Sequence, residues 1–180
     1  MSFGPAGQRV RERRIRNSVR LVAAPRRLRD VLNYSEITEN LWIGTTPSGP
    51  DYELLRRLGV RLVINMRFGH GSHPNGGEPP LDYLRLRTFD SPIIPIPVRA
   101  LIRGVHAALD VIGEGGKVYA HCARGKHRSV AMGAAILIAQ GMPPEAAMSL
   151  IKTRRSEADP YMFYIRRRIL LFARRWTSSC

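Results

Sequence analysis

The 180-residue chain is expected to fold as an α/β domain with a central, mostly parallel sheet of about four to five strands flanked by helices. Three observations predict this. Strand-like and helix-like segments alternate along most of the chain. The run "VRLVINMR" (60–67) is nearly continuous in apolar and β-branched residues, as a strand buried on both faces should be. The stretch "KVYAHCARGKHRSVAMGAAILIAQ" (117–140) joins a short strand pattern to an apolar helix pattern through a polar, glycine-bearing turn. A chain of this length supplies one core rather than two, and its hydrophobic content of 44% is that of a globular domain.

Each element has its own local reason. Residues 1–32 carry nine arginines against Glu12 and Asp30, so residues 1–33 read as a basic arm outside a domain spanning 34–176. "EITENLWIG" gives two extended pieces around Glu39-Asn40, the start of a β-hairpin. In "PDYELLRRLGV", Pro50 and Asp51 stand at a helix N-cap or first turn, Leu54, Leu55 and Leu58 form one face, and Gly59 ends the helix. After the "VRLVINMR" strand, "FGHGSHPNGGEPP" is almost all turn chemistry and reads as a loop. "LDYLRLRTF" alternates like a strand and runs into Asp90 and "SPIIPIP". Residues 99–113 place Leu101, Val105, Leu109 and Ile112 at helical spacing, closed by "GEGG". "KVYAH" is a short strand. "RSVAMGAAILIAQG" is a mostly buried helix stopped by Gly141, and "PPEAAMSLIKTRR" is a helix opened by Pro143-Pro144. A last helix is expected from about Pro160, with Met162, Ile165, Ile169, Phe172 and Trp176 on an apolar stripe and Arg166, Arg167, Arg168, Arg174 and Arg175 around it.

Charge narrows the partners. There are 29 Lys and Arg against 14 Asp and Glu, a net charge of +15, which favours nucleic acid, acidic lipid or phosphorylated molecules. "AMGAAILIA" is about half of the ~20 apolar residues a membrane span needs, so the protein is expected to be soluble. No apolar signal region opens the chain. The expected compartment is the cytoplasm, although the Arg-rich, acid-poor N-terminus also suits a mitochondrial presequence. Cys122 and Cys180 make no disulfide framework, and Cys122 reads as a free thiol.

Cys122 stands between the end of a strand and the start of a helix. Backbone N–H groups from Ala123 onward can point into one concavity there, and the helix N-terminus adds partial positive charge. Gly125 allows the loop to curl. Arg128 can place a planar guanidinium over two oxygens of a bound anion. The same positive surroundings stabilise a thiolate at Cys122 and make it nucleophilic at neutral pH.

"HCARGKHRS" (121–129) resembles the H-C-x5-R-[ST] signature of cysteine-dependent protein tyrosine and dual-specificity phosphatases, and "ITENLWIG", "LGVRLVINMR" and "IKTRRSEADP" are similar to segments of the small atypical members. The likeness extends over most of residues 36–172 and leaves out the arm. It implies a protein tyrosine phosphatase-like fold and a two-step reaction through a phosphocysteine on Cys122, with no metal and no cofactor. Arg128 and the loop residues Ala123, Arg124, Gly125, Lys126 and His127 would bind phosphate. Ser129 would donate a hydrogen bond to the departing thiolate, and His121 would hold the loop from behind. A general acid must come from another loop. Asp90, after the strand "YLRLRTF" and 32 residues before Cys122, has a spacing similar to that of the family's acid.

The first substrate class so implied is the phosphoprotein. Arg124, Lys126 and His127 are more cationic than a phosphotyrosine site needs. A basic residue at Lys126 is similar to phosphoinositide and phosphatidylglycerophosphate phosphatases, and R-G-K-H-R resembles a plant and fungal group acting on inositol pyrophosphates. An RNA 5′-triphosphatase, or a phosphate-binding module without turnover, would share the loop; Asp90 weighs against both, and nucleic acid ranks below the other partners. An anionic membrane surface is a candidate partner for the arm. His70 and His73 read as polar loop residues rather than metal ligands, and His106 as a helix-face residue.

Overall fold

The structure is a computed structural model that describes Met1, residues 32–69 and residues 76–178. The arginine-rich arm, His70, His73 and Cys180 lie outside the described residues. The elements run β1 (Tyr34–Thr38), β2 (Leu41–Gly44), α1 (Gly49–Arg57), β3 (Val60–Arg67), β4 (Asp82–Thr88), α2 (Val98–Gly113), β5 (Lys117–His121), α3 (Arg128–Ala139), α4 (Pro144–Arg154) and α5 (Phe163–Thr177).

The strands form one five-stranded sheet in the order β1-β2-β5-β3-β4. β1 and β2 are the antiparallel hairpin, whereas β5 pairs parallel with both β2 and β3, and β3 pairs parallel with β4. β5 is therefore the central strand. Its carboxyl end points to the edge where α/β sheets bind ligands.

Strand alternation divides the core into two faces. Leu41 and Ile43 of β2, Leu62, Ile64 and Met66 of β3, and Val118 and Ala120 of β5 join the larger cluster, with α2, α3, α4 and α5. Trp42, Val63 and Tyr119 point the other way and pack with Tyr52 and Leu55 of α1. Val60 belongs to this second cluster although it is two residues from Leu62. The reason is a register shift between Val60 and Leu62 in the β3–β5 ladder, which leaves Arg61 exposed as the extra residue. α3 is buried from Arg128 to Ile138, because it crosses the middle of the larger face beneath α2, α4 and α5.

Two helix starts differ from the sequence expectation, whereas α1 has Pro50 and Asp51 in its first turn as expected. Ser48 caps α1, and Asp51, three residues on, accepts the Ser48 backbone N–H at 2.8 Å. α5 begins at Phe163 rather than near Pro160, since the Asp159 carboxylate accepts the Met162 N–H at 3.0 Å and so fixes the entry into the helix. α2 begins one residue early, at Val98, directly after Pro97.

Candidate active site

The loop from Cys122 to His127 connects the carboxyl end of β5 to the first turn of α3. Gly125 sits at φ 67, and a Cβ there would come within 2.9 Å of the Gly44 carbonyl and 2.6 Å of the Arg155 guanidinium. Only glycine fits both the curl and the contact. No side chain caps α3, so its first N–H groups stay available to an anion beside the loop.

The loop is held from outside. Thr46, after β2, donates its hydroxyl to the Cys122 carbonyl at 3.0 Å and accepts from Arg67 at 3.2 Å. Arg155, 1% exposed, donates Nε to the Gly125 carbonyl at 2.9 Å and reaches the Arg124 carbonyl and the Ser35 hydroxyl with its other nitrogens. The Asp159 N–H donates to the Lys126 carbonyl at 2.9 Å. Turning carbonyls outward onto these donors leaves the loop's N–H groups to face the concavity.

Cys122 is almost fully buried and lines a cavity of about 160 Å³ with Asp90, Ala123, Arg124, Lys126 and His127. Burial pushes its thiol pKa up. Hydrogen bonds from the Ser129 hydroxyl and backbone, the Arg128 charge and the Gly125 N–H outweigh that, and the net direction is down from 9.0. The Ser129 hydroxyl lies 3.3 Å from the sulfur. Arg128 is anchored by Nη1 on the Thr88 carbonyl at 3.0 Å and, at longer range, on that of Met66. Its Nε is buried without a hydrogen-bond partner and lies 3.7 Å from an Asp90 oxygen, a donor left over for an anion. His121 is buried behind the loop, and its pKa falls from 6.5 to about 3, chiefly through burial. A neutral imidazole there cannot serve as a cation for substrate.

Asp90 comes from the loop after β4. His127 Nδ1 lies 3.1 Å from one of its oxygens, and the Tyr164 hydroxyl donates to the same oxygen at 2.8 Å. Burial, the hydrogen bond to Asp90 and the charge of Asp90 push the Tyr164 pKa up to about 12, so it remains a donor. The cavity and its walls thus bring together a thiol biased toward thiolate, a guanidinium, outward-tied loop carbonyls and a carboxyl, an arrangement that can hold an anion beside the sulfur.

No protein-family model matches the chain, and no curated protein does. Solved structures do. A mouse putative dual specificity phosphatase complexed with zinc tungstate matches at TM-score 0.74 and 22% identity, over 87% of this chain and 96% of its own. Human DUSP28 matches at 0.71 and 22%, over 80% and 95%. PTPMT1 in complex with PI(5)P matches at 0.69 and 26%, over 81% and 97%. The fold is that of a dual-specificity phosphatase. Cys122, on the loop after the central strand, and Arg128, at the start of α3, stand at the carboxyl edge of that shared fold.

The cavity brings together the residues that the sequence placed around the Cys122 loop. Cys122, Arg128, Ser129, Asp90 and the loop from Ala123 to His127 come together, and His121 lies buried beneath. Thr46, Arg67, Arg155 and Tyr164 were missed. Each acts across the fold, and a buried arginine in an arginine-rich chain, or a tyrosine one place before the apolar stripe of α5, carries no local signature. His106 stands exposed on α2 against Trp176, a helix-face residue as read.

Proposed function

We propose that the chain hydrolyses phosphomonoesters in two steps at Cys122. The thiolate attacks phosphorus while the bond to the leaving oxygen breaks, and Asp90 gives that oxygen its proton. Water then attacks the phosphocysteine, Asp90 takes a proton from it, and the sulfur leaves as a thiolate with Ser129 donating to it. Arg128 Nε and the amides of residues 123–128 stabilise the charge on the equatorial oxygens in both steps. The observation that carries this reading is the shared cavity, in which a thiol held below its ordinary pKa and the Asp90 carboxyl line the same space of about 160 Å³.

A phosphoprotein is the first substrate class, as for dual-specificity phosphatases generally. A second class, inositol or lipid phosphates, is favoured by Arg124 and Lys126, which stand exposed at the cavity, and by the likeness to PTPMT1, whose complex holds PI(5)P. The test is hydrolysis of an aryl phosphate and of an alkyl phosphate. Cys122→Ser should remove both activities. Asp90→Asn should cost about 10²–10⁴-fold on the alkyl ester, whose leaving oxygen needs the proton, and far less on the aryl ester. Equal loss on both esters would contradict the assignment of Asp90.

A further inference from the structure

Apart from the first residue of the chain, the exposed large apolar side chains among the described residues are Phe68, Phe89, Ile93, Ile94, Tyr161 and Phe163. All six belong to segments that meet at Asp90. Phe68 follows the carboxyl end of β3 and Phe89 that of β4, and their rings stack at 4.2 Å. The Arg85 guanidinium donates to the Phe68 and Gly69 carbonyls, which fixes the backbone that presents Phe68. Ile93 is 87% exposed and Ile94 52%, and the Ser91 hydroxyl accepts both of their N–H groups, so they stand on an ordered turn. Phe163, 68% exposed, opens α5 against Tyr164, whose hydroxyl reaches Asp90.

The charge around these side chains is positive. Arg87, near the end of β4, and Arg124 and Lys126, on the loop after β5, are exposed. Tyr161 and Phe163 also line a groove of about 550 Å³ along α5, with Leu170 and Leu171 between Arg166, Arg167 and Arg174. The acids nearby are engaged: Asp90 with His127 and Tyr164, Asp159 with the Met162 N–H, and Glu145 with Arg166. Apolar tips set among arginines match a surface that offers anionic groups at one depth and hydrocarbon a few ångströms below. That surface is an anionic bilayer.

We propose that this rim docks onto an anionic membrane, with Phe68, Phe89, Ile93, Ile94 and Phe163 entering the headgroup–acyl boundary, so that the phosphomonoester reaching Cys122 is carried on a lipid. The docking stands on the rim alone; the substrate assignment rests on the phosphatase reading and takes its second substrate class.

The experiment uses the full chain and vesicles of phosphatidylcholine, with and without phosphatidylglycerol. A tryptophan introduced as Ile94→Trp should blue-shift and be quenched by brominated acyl chains only in the anionic vesicles, against the wild-type background from Trp42 and Trp176. Ile93→Ser combined with Phe163→Ser should lower partitioning onto anionic vesicles about tenfold, with the arginine-rich arm intact in both proteins and circular dichroism confirming the fold. An Ile94→Trp protein whose added fluorescence is not quenched, or a serine variant that partitions like wild type, overturns the proposal. So does a rim that seats protein instead, seen as wild type failing to bind vesicles while the serine variant loses kcat/KM on a soluble phosphopeptide. Turnover of a soluble aryl phosphate by wild type tests the phosphatase reading separately: its absence removes the lipid-substrate assignment and leaves the docking result standing.

Discussion

A sulfur as buried as that of Cys122 should hold its proton tightly, because burial disfavours the thiolate. The opposite net direction depends first on Ser129, whose hydroxyl and backbone are the leading opposing influences, ahead of Arg128 and Gly125. Ser129→Ala removes the hydroxyl and keeps the backbone, so the Cys122 titration should move upward. The measurement is thiolate absorbance against pH, taken as the difference between each protein and its Cys122→Ser partner. The sign follows directly. A depressed thiol pKa keeps the thiolate populated down to lower pH, so wild type and Ser129→Ala should differ most in the rate of the first step, attack by Cys122, on the acid side, and that difference should shrink as pH rises. The same depression stabilises the folded state above the ordinary thiol pKa, and that contribution is lost as pH falls through the folded value. A titration of Cys122 unchanged by the substitution would show that backbone amides and Arg128 hold the thiolate without the hydroxyl.

Between elements, the contact that matters is the one α5 makes with the loop after β4. Tyr164 stands in the first turn of α5 and fixes one oxygen of Asp90 at 2.8 Å, while His127, at the end of the loop after β5, lies 3.1 Å from the same oxygen and 3.2 Å from the Tyr164 hydroxyl. Tyr164 is a positioning residue, since it reaches the reaction only through Asp90. Tyr164→Phe should therefore lower kcat about tenfold on an alkyl phosphate and leave an aryl phosphate with a good leaving group nearly unaffected. A purely structural role would lower both together, and the comparison of leaving groups separates the cases. None of this contact was legible in the sequence, although α5 itself was, from its apolar stripe. Periodicity shows which face of a helix is buried; it does not show which distant loop a flanking tyrosine meets. The strands, the order of the helices and the Cys122–Arg128 loop were legible because each is written in consecutive residues. Asp90 was legible from its place after a strand. Arg155, Thr46 and Arg67 were not, since they approach the loop from other elements. Ile93 and Ile94 gave no warning of their exposure either, because apolar residues in a proline-rich connection read equally well as covered or bare.

For the molecule as a whole, the dominant quantity is charge: +15 at neutral pH over 180 residues. A field of that sign concentrates anions near the surface, and it acts on encounter rather than on the chemistry inside a closed cavity. Its reach is set by salt, with a Debye length of about 30 Å at ~0.01 M and about 8 Å at ~0.15 M. The consequence depends on substrate charge. An inositol phosphate carrying several phosphates should lose about tenfold in kcat/KM across that range of salt, and an aryl monophosphate markedly less. In both cases kcat should hardly change if, as proposed, Arg128 and the loop amides hold the phosphate within the cavity, where ions screen poorly. Steady-state kinetics on the two substrates at matched pH decide the matter. A fall in kcat at constant KM would place the salt effect on the bound complex, and equal slopes for the two substrates would mean that the excess arginines do not guide substrate to Cys122 at all.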